Sequence, residues 1–541
     1  MNSNLLTLNV DESVEISDVL HSFTSTDKDV LLFDVNSVIT EPHRELLTDY
    51  PRSVTTALVA PHPQGDIRIG QDRIRSAASD FHQIGSGGHL NLGMVRLSQK
   101  QRTEIIEILS KIQNTDKSGS VIDLIIVALV RSSLVVAPAI VVGAPFIRSK
   151  DAAARDKVRK EIADLNDARL RLKLANRAND GFFSVFFLRK FSKLFTWVAV
   201  RTKMTPNQVT LISFAVGLLS AYQFSFGQFW NTLFGAVLLQ LSIIIDCVDG
   251  ELARYTRQFS QLGAWLDAIT DRIKEYAVYF TLAYGAEKNG INLWIPAIGM
   301  MLFQSVRHIS DYNFARVNKI RKSHLDPIPF DQKSDLFIPT EKEKLGRFKY
   351  WAKKVVQFPI GERWLAISAT SVIGGAKFTF IVMPILSLIS IGLVFRGRVR
   401  TSLTWPKDRT HKTLIDSQLD LLGKSSTFSR FDWLEPSILR LIEGGLYICA
   451  TVLFDLNLHQ SFMIIFAILF GHYDSMYRAL AGEKKPQWLT ALGLSIPGRL
   501  LLIGLFVIYG LSLQNLVYYF GALYFFIASF QWIAANVVKG K

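Results

Sequence analysis

Hydrophobic positions fall into two regimes along the chain. Up to about residue 180 they come in short runs separated by polar stretches. β-type runs lie at 30–35, 54–59 and 92–97, the last leading into a helical pattern at 99–112, and a second α/β unit follows at 121–131 and 135–142. This predicts a small α/β domain over residues 1–150. Past residue 180 the runs lengthen. Stretches at 208–226, 229–248, 262–285, 293–309, 361–376 and 378–395 approach the ~20 residues that cross a ~30 Å hydrocarbon core. Four more follow at 439–454, 462–476, 500–513 and 517–535. The expected fold is a mainly α-helical polytopic membrane protein, with a six-span core at 204–400, a cytoplasmic linker at 401–434 and a C-terminal membrane domain at 435–541.

The segment joining the two regimes has its own pattern. Residues 151–177 are dense in charge, with Val158, Ile162, Leu165 and Leu172 at helical spacing, which predicts a solvated connector helix. In 182–200, Phe183, Phe186, Phe187, Phe191, Leu194, Phe195 and Val198 alternate with Arg189, Lys190 and Lys193, and Arg201 follows. Aromatics interleaved with cations predict an amphipathic helix in the membrane interface, drawn to anionic headgroups. Next, Thr205 and Pro206 suit a helix cap and first turn.

Against this apolar background one polar pattern stands out: Asp246, Asp249, Gly250, Ala253, Arg254, Gly263, Asp267 and Asp271, written D-x2-D-G-x2-A-R-x8-G-x3-D-x3-D. Residues three or four apart share a helix face, so Asp246 pairs with Asp249 and Asp267 with Asp271. The intervening residues are long enough to reverse the chain, which brings the two pairs together. Like charges about 4 Å apart repel by on the order of 4 kcal/mol at an effective dielectric of about 20. Protons or cations must therefore neutralise them, and hard oxygen ligands suit Mg²⁺ or Mn²⁺, alone or as a pair. Gly250 and Gly263 leave room for a ligand or backbone, and Arg254 adds a phosphate-shaped fork. Together these groups suit a diphosphate.

Composition narrows the picture further. The 541 residues are 49% hydrophobic with net charge +15. In a membrane protein that excess belongs to cytoplasmic loops, here Arg254, Arg257, Arg316, Lys319, Arg321, Lys322, Lys349, Lys353, Lys354, Arg396, Arg398 and Arg400, and not to a nucleic-acid surface. The bias places the N-terminus and the acidic cluster on the cytoplasmic side, and the polar, acidic residues 1–27 carry no signal-peptide pattern. Cys247 and Cys449 lie in apolar stretches and imply neither disulfide nor zinc. Gly85 to Gly88 reads as a surface turn rather than a phosphate loop. Asp474 and Arg478 sit at pairing distance on a helix and read as a satisfied buried pair.

The eight-position pattern resembles the signature of the CDP-alcohol phosphatidyltransferase family. That resemblance implies displacement at the β-phosphorus of a CDP-alcohol, such as CDP-diacylglycerol, by an alcohol acceptor with release of CMP. It implies that Asp246, Asp249, Asp267 and Asp271 hold two divalent ions, that Asp271 takes the acceptor's proton, and that Asp249, Gly250, Ala253, Arg254 and Gly263 receive the CDP moiety. Thr205, Pro206 and Asn207 resemble a segment that lies near the nucleotide in relatives. Arg307 and Arg363 resemble arginines that line a pocket for a phosphorylated polyol such as inositol phosphate, with Glu362 expected to orient Arg363. A homodimer in a bacterial plasma membrane would also follow. The junction at 179–184 resembles the end of a fused cytidylyltransferase, but without a nucleotide loop the first domain is expected to be degenerate. The rival reading is an inactive membrane scaffold that keeps the cluster as a cation site.

Overall fold

The computed structural model describes residues 5–48, 54–70, 73–79, 82–85, 87–114, 119–141, 143–175, 181–322, 351–405, 430–480 and 485–538. Most of the expected linker at 401–434 lies outside them, as do Lys349, Lys484, Lys539 and Lys541. The side chains of Arg316, Lys319, Arg321 and Lys322 are likewise outside the description. The chain divides into two compact units that meet in sequence at residues 179 and 180.

The first unit is a mixed sheet with helices on its faces. Its elements are β1 (Leu5–Val10), α1 (Ile16–Thr24), β2 (Asp29–Asp34), β3 (Ser37–Val38), α2 (Glu41–Thr48), β4 (Thr55–Pro61), β5 (Ile67–Gly70), β6 (Arg73–Ala77), β7 (Gly88–Leu97), α3 (Arg102–Ile112), α4 (Val121–Arg131), β8 (Val136–Ile140), β9 (Ile147–Arg148), α5 (Ala152–Ala163) and α6 (Asp167–Leu174). The strand order is β1-β2-β7-β4-β8, with β1/β2 and β4/β8 parallel and β7 antiparallel to β2 and β4. The apolar runs expected at 30–35, 54–59 and 92–97 are its central strands β2, β4 and β7, and the run expected at 135–142 contributes the edge strand β8. Strand β1 and helix α1 arise where the sequence reads as a polar tail. Only Val10 of β1 is buried, as suits an edge strand, while α1 buries Ile16, Val19 and Phe23 on one face.

The charged connector is two helices rather than one. Asn166 caps the second by accepting from Arg169 N at 2.9 Å. That helix buries Leu170 and Leu174 and pairs Arg171 with Glu45. The first unit therefore extends past the boundary expected at 150.

The second unit is helical. It comprises α7 (Arg189–Arg201), α8 (Pro206–Phe224), α9 (Phe229–Thr256), α10 (Gln261–Glu287), α11 (Trp294–Lys322), α12 (Ile360–Leu403), α13 (Glu435–Leu453), α14 (Leu458–Leu480), α15 (Gln487–Leu492), α16 (Ile496–Ile508), α17 (Leu513–Gly521) and α18 (Ser529–Val538). The protein is a polytopic helical membrane protein. Among the described residues, Phe229–Thr256, Ile360–Leu403, Glu435–Leu453 and Leu513–Asn536 are long and apolar enough to cross a membrane. The remaining expected spans are helices at the expected places that fall short of this standard. Helix α10 does so because it carries Asp267, Asp271, Arg272, Lys274 and Glu275, and α16 because it is short.

Helix α12 holds both of the spans expected at 361–376 and 378–395. Gly374 and Gly375 break the helical backbone, Gly375 with φ +68°. Thr370 Oγ1 and Thr379 Oγ1 are 3.1 Å apart, whereas nine residues of unbroken helix would separate them by about 13.5 Å. The chain doubles back there, and only glycine takes the left-handed turn without strain.

Helix α7 is inside out. Ser192, Thr196 and Ala199 are buried, while Phe191, Leu194, Phe195, Trp197 and Val198 are exposed. An apolar outer face is the one an interfacial helix turns to lipid. Arg189, expected to meet headgroups, is instead buried against Glu251.

Candidate active site

Three helices frame the acidic residues. Small residues let α8 and α9 approach: Ser220 Oγ donates to Gly235 O at 2.7 Å, and Ser213 Oγ and Ser242 Oγ each donate to the other residue's carbonyl at 3.0 and 2.8 Å. Helix α9 ends at Arg257, whose φ of +60° lets the chain turn. Ser260 then caps α10 by accepting from Gly263 N at 2.8 Å. The turn returns α10 alongside α8 and α9, which brings the two halves of the signature together.

Asp246, Asp267 and Asp271 each offer a carboxylate oxygen, and the three atoms lie within 4.8 Å of one another. Asp249 does not complete a set of four. It is buried on α9, and its Oδ2 accepts from Thr210 Oγ1 at 2.6 Å, so its carboxylate is held toward α8. Three hard oxygen donors at this separation fit a small divalent cation.

The residues expected around a nucleotide cluster at the same helix ends. Thr205 and Gln208 form a reciprocal capping box at the start of α8, with Pro206 in the first turn. A Cβ on Gly263 would come within 2.8 Å of Asn207 Oδ1, so glycine is what lets the α8 N-terminus approach α10. Arg254 lies over Gly250, where an added Cβ would be 3.1 Å from its guanidinium. Ala253 and Arg254 are both half-buried.

Several charged residues absent from the sequence reading shape the site. Lys274 Nζ lies 2.6 Å from Asp246 Oδ1 and 3.0 Å from Asp271 Oδ1, and it donates to Ser213 Oγ at 2.9 Å. One position on, Glu275 accepts from Arg363 Nε and Nη2, both at 2.9 Å, from Arg272 Nη1 at 3.1 Å and from Tyr279 OH at 2.9 Å. Glu275 therefore orients Arg363. Glu362, expected in that role, accepts from Phe183 N at 3.1 Å instead. Glu251 accepts from Arg189 Nη1 at 2.7 Å, Ser192 Oγ at 2.8 Å and Thr196 Oγ1 at 2.7 Å, which ties α7 to α9 one residue past Gly250. Arg307 donates through Nη2 to the carbonyls of Gln357 and Phe358, and its buried Nη1 has no hydrogen-bond partner among the described residues. The signal for Lys274 and Glu275 was present, since ionisable residues inside an apolar helix are costly enough to demand partners.

The C-terminal helices contribute to the same wall. Trp265 Nε1 donates to Asp474 Oδ1 at 3.1 Å, and Tyr473 OH lies 3.1 Å from His308 Nδ1, which in turn is 3.0 Å from Arg272 Nη1. Asp474 is also paired with Arg478 and with Lys485, each at 2.9 Å.

Comparison with known proteins agrees with this geometry. The family model for CDP-alcohol phosphatidyltransferases matches residues 203–331. This stretch is a CDP-alcohol phosphatidyltransferase domain. Over 104 residues the chain is 36% identical to the bifunctional IPC transferase and DIPP synthase of Aquifex aeolicus, covering 19% of this chain and 23% of that protein. It is 35% identical over 82 residues to the archaetidylinositol phosphate synthase of Pyrococcus horikoshii, covering 15% and 42%. It is 35% identical over 98 residues to the phosphatidylinositol phosphate synthase of Mycolicibacterium smegmatis, covering 18% and 43%. The matches thus span less than half of each of these relatives, and within this chain the phosphatidyltransferase domain ends well before the C-terminal helices.

Proposed function

We propose that the protein transfers a phosphatidyl group from a CDP-alcohol, such as CDP-diacylglycerol, to a phosphorylated polyol such as inositol phosphate, releasing CMP. The observation that carries this reading is the convergence of Asp246, Asp267 and Asp271 at a helix crossing that also presents Arg254. The names of two of the relatives, an archaetidylinositol phosphate synthase and a phosphatidylinositol phosphate synthase, support the acceptor class.

In the reaction the acceptor oxygen attacks the β-phosphorus, the bond from that phosphorus to CMP breaks, and the acceptor's proton passes to Asp271. A Mg²⁺ or Mn²⁺ ion held by Asp246, Asp267 and Asp271 would draw charge from the diphosphate. Thr210 keeps Asp249 facing α8, where it and Gly250 border the nucleotide, and Arg254 meets the phosphates. Arg307, with an uncommitted N–H, takes the acceptor's phosphate. Arg363 is held by Glu275 through Nε and Nη2 and acts as a positioning residue. The lipid tails stay between helices, with the apolar face of α7 in the interface. The loop cations support a cytoplasmic site and N-terminus, and a bacterial plasma membrane and a homodimer fit the family reading.

The test is CMP release by the purified full-length protein from CDP-diacylglycerol against a panel of acceptors. Inositol phosphate should support release well above inositol, glycerol phosphate or water. No release with any acceptor would refute the reading.

A further inference from the structure

Lys274 is fully buried inside the unit that holds the acidic residues. A lysine ammonium survives such burial only where carboxylates and hydrogen bonds replace water. Here both are supplied, from three helices. Asp246 Oδ1 comes from α9 at 2.6 Å, Asp271 Oδ1 from its own helix at 3.0 Å, and Ser213 Oγ from α8 at 2.9 Å. The Trp364 ring centroid lies 5.2 Å from Nζ and adds a fourth favourable face. The path for its stem is built as well. A Cβ on Gly217 would lie 2.6 Å from Lys274 Cδ and 2.7 Å from Cγ, so α8 carries no side chain where the lysine must pass.

The consequence concerns how many ions the acidic residues take. Two-metal sites place their ions about 3.5–4 Å apart and share carboxylates between them. In this chain two of the three converging carboxylates already share a fixed positive charge. We propose that the Lys274 ammonium stands in for one ion of a pair, so that the site binds a single divalent cation instead of the two expected from the sequence. The lysine neutralises Asp246 and Asp271 through their Oδ1 atoms, leaving less carboxylate charge at the cluster, enough with Asp267 for one ion. This rests on the transferase reading only in taking the acidic cluster as the cation site.

The test counts bound Mn²⁺ by electron paramagnetic resonance on the full-length protein in detergent micelles, with Mn²⁺ as the probe. The wild type is expected to bind one ion per chain. Lys274→Met, which keeps most of the length and removes the charge, is expected to bind two, and Lys274→Arg one. The wild-type count decides even where a variant fails to fold. Two ions in the wild type, or equal counts in wild type and Lys274→Met, would overturn the inference while leaving the transferase reading in place. No bound ion in the wild type would overturn both.

Discussion

Among single residues, groups that touch the reacting atoms differ from groups that hold them. Asp271→Asn should lower CMP release by about 10²–10⁴-fold, the usual contribution of a positioned proton acceptor, while equilibrium binding of the CDP-alcohol changes little. Normal turnover by this variant would remove Asp271 from the role. Glu251 belongs to the second kind. Its replacement by alanine removes the buried carboxylate that Arg189 Nη1 meets at 2.7 Å, so a loss of about 3–5 kcal/mol is expected in thermal or denaturant unfolding. An unchanged midpoint would contradict the burial of that pair. The aspartates were legible because their spacing repeats a helix turn on both sides of a chain reversal. Which of them converge was not, because the Thr210 hydroxyl that donates to Asp249 lies 39 residues away in sequence.

At the scale of elements the approach of α8 to α10 depends on two missing side chains, at Gly263 beside the α8 N-terminus and at Gly217 farther along α8. Gly217→Ala puts a methyl group against the stem of Lys274, and overpacking of this kind costs about 1–3 kcal/mol. We expect a lowered unfolding midpoint, and a neutral result would mean that the lysine stem can move. Helix positions were readable from apolar run lengths, as the places of α8 to α12 show. The run lengths could not reveal that α7 faces outward with its apolar side and inward with Ser192 and Thr196, since periodicity gives two faces without saying which meets protein. They also hid β1, whose single buried residue leaves no alternation to detect.

For the second unit as a whole, the C-terminal helices are part of the structure around the site. Aromatic contacts between Tyr276 and Phe466 and between Phe280 and Phe462, at 5.6 and 5.3 Å, continue the seam that Trp265 and Asp474 begin. Asp474→Ala should therefore cost about 3–5 kcal/mol by leaving Arg478 and Lys485 unpaired, and should also lower CMP release because Trp265, two residues from Asp267, loses its partner. Reduced stability with full turnover would separate this bundle from the site. The sequence showed Asp474 and Arg478 as a local pair, but a contact to Trp265 across 209 positions leaves no trace in spacing or hydropathy. The most direct measurement is ³¹P NMR of the full-length protein in nanodiscs with CDP-diacylglycerol, inositol phosphate and Mg²⁺, comparing wild type with Asp267→Asn. CMP and a phosphatidyl-linked inositol phosphate should appear in equal amounts with the wild type and neither with the variant; equal product from both proteins would contradict a transferase site built on this acidic cluster.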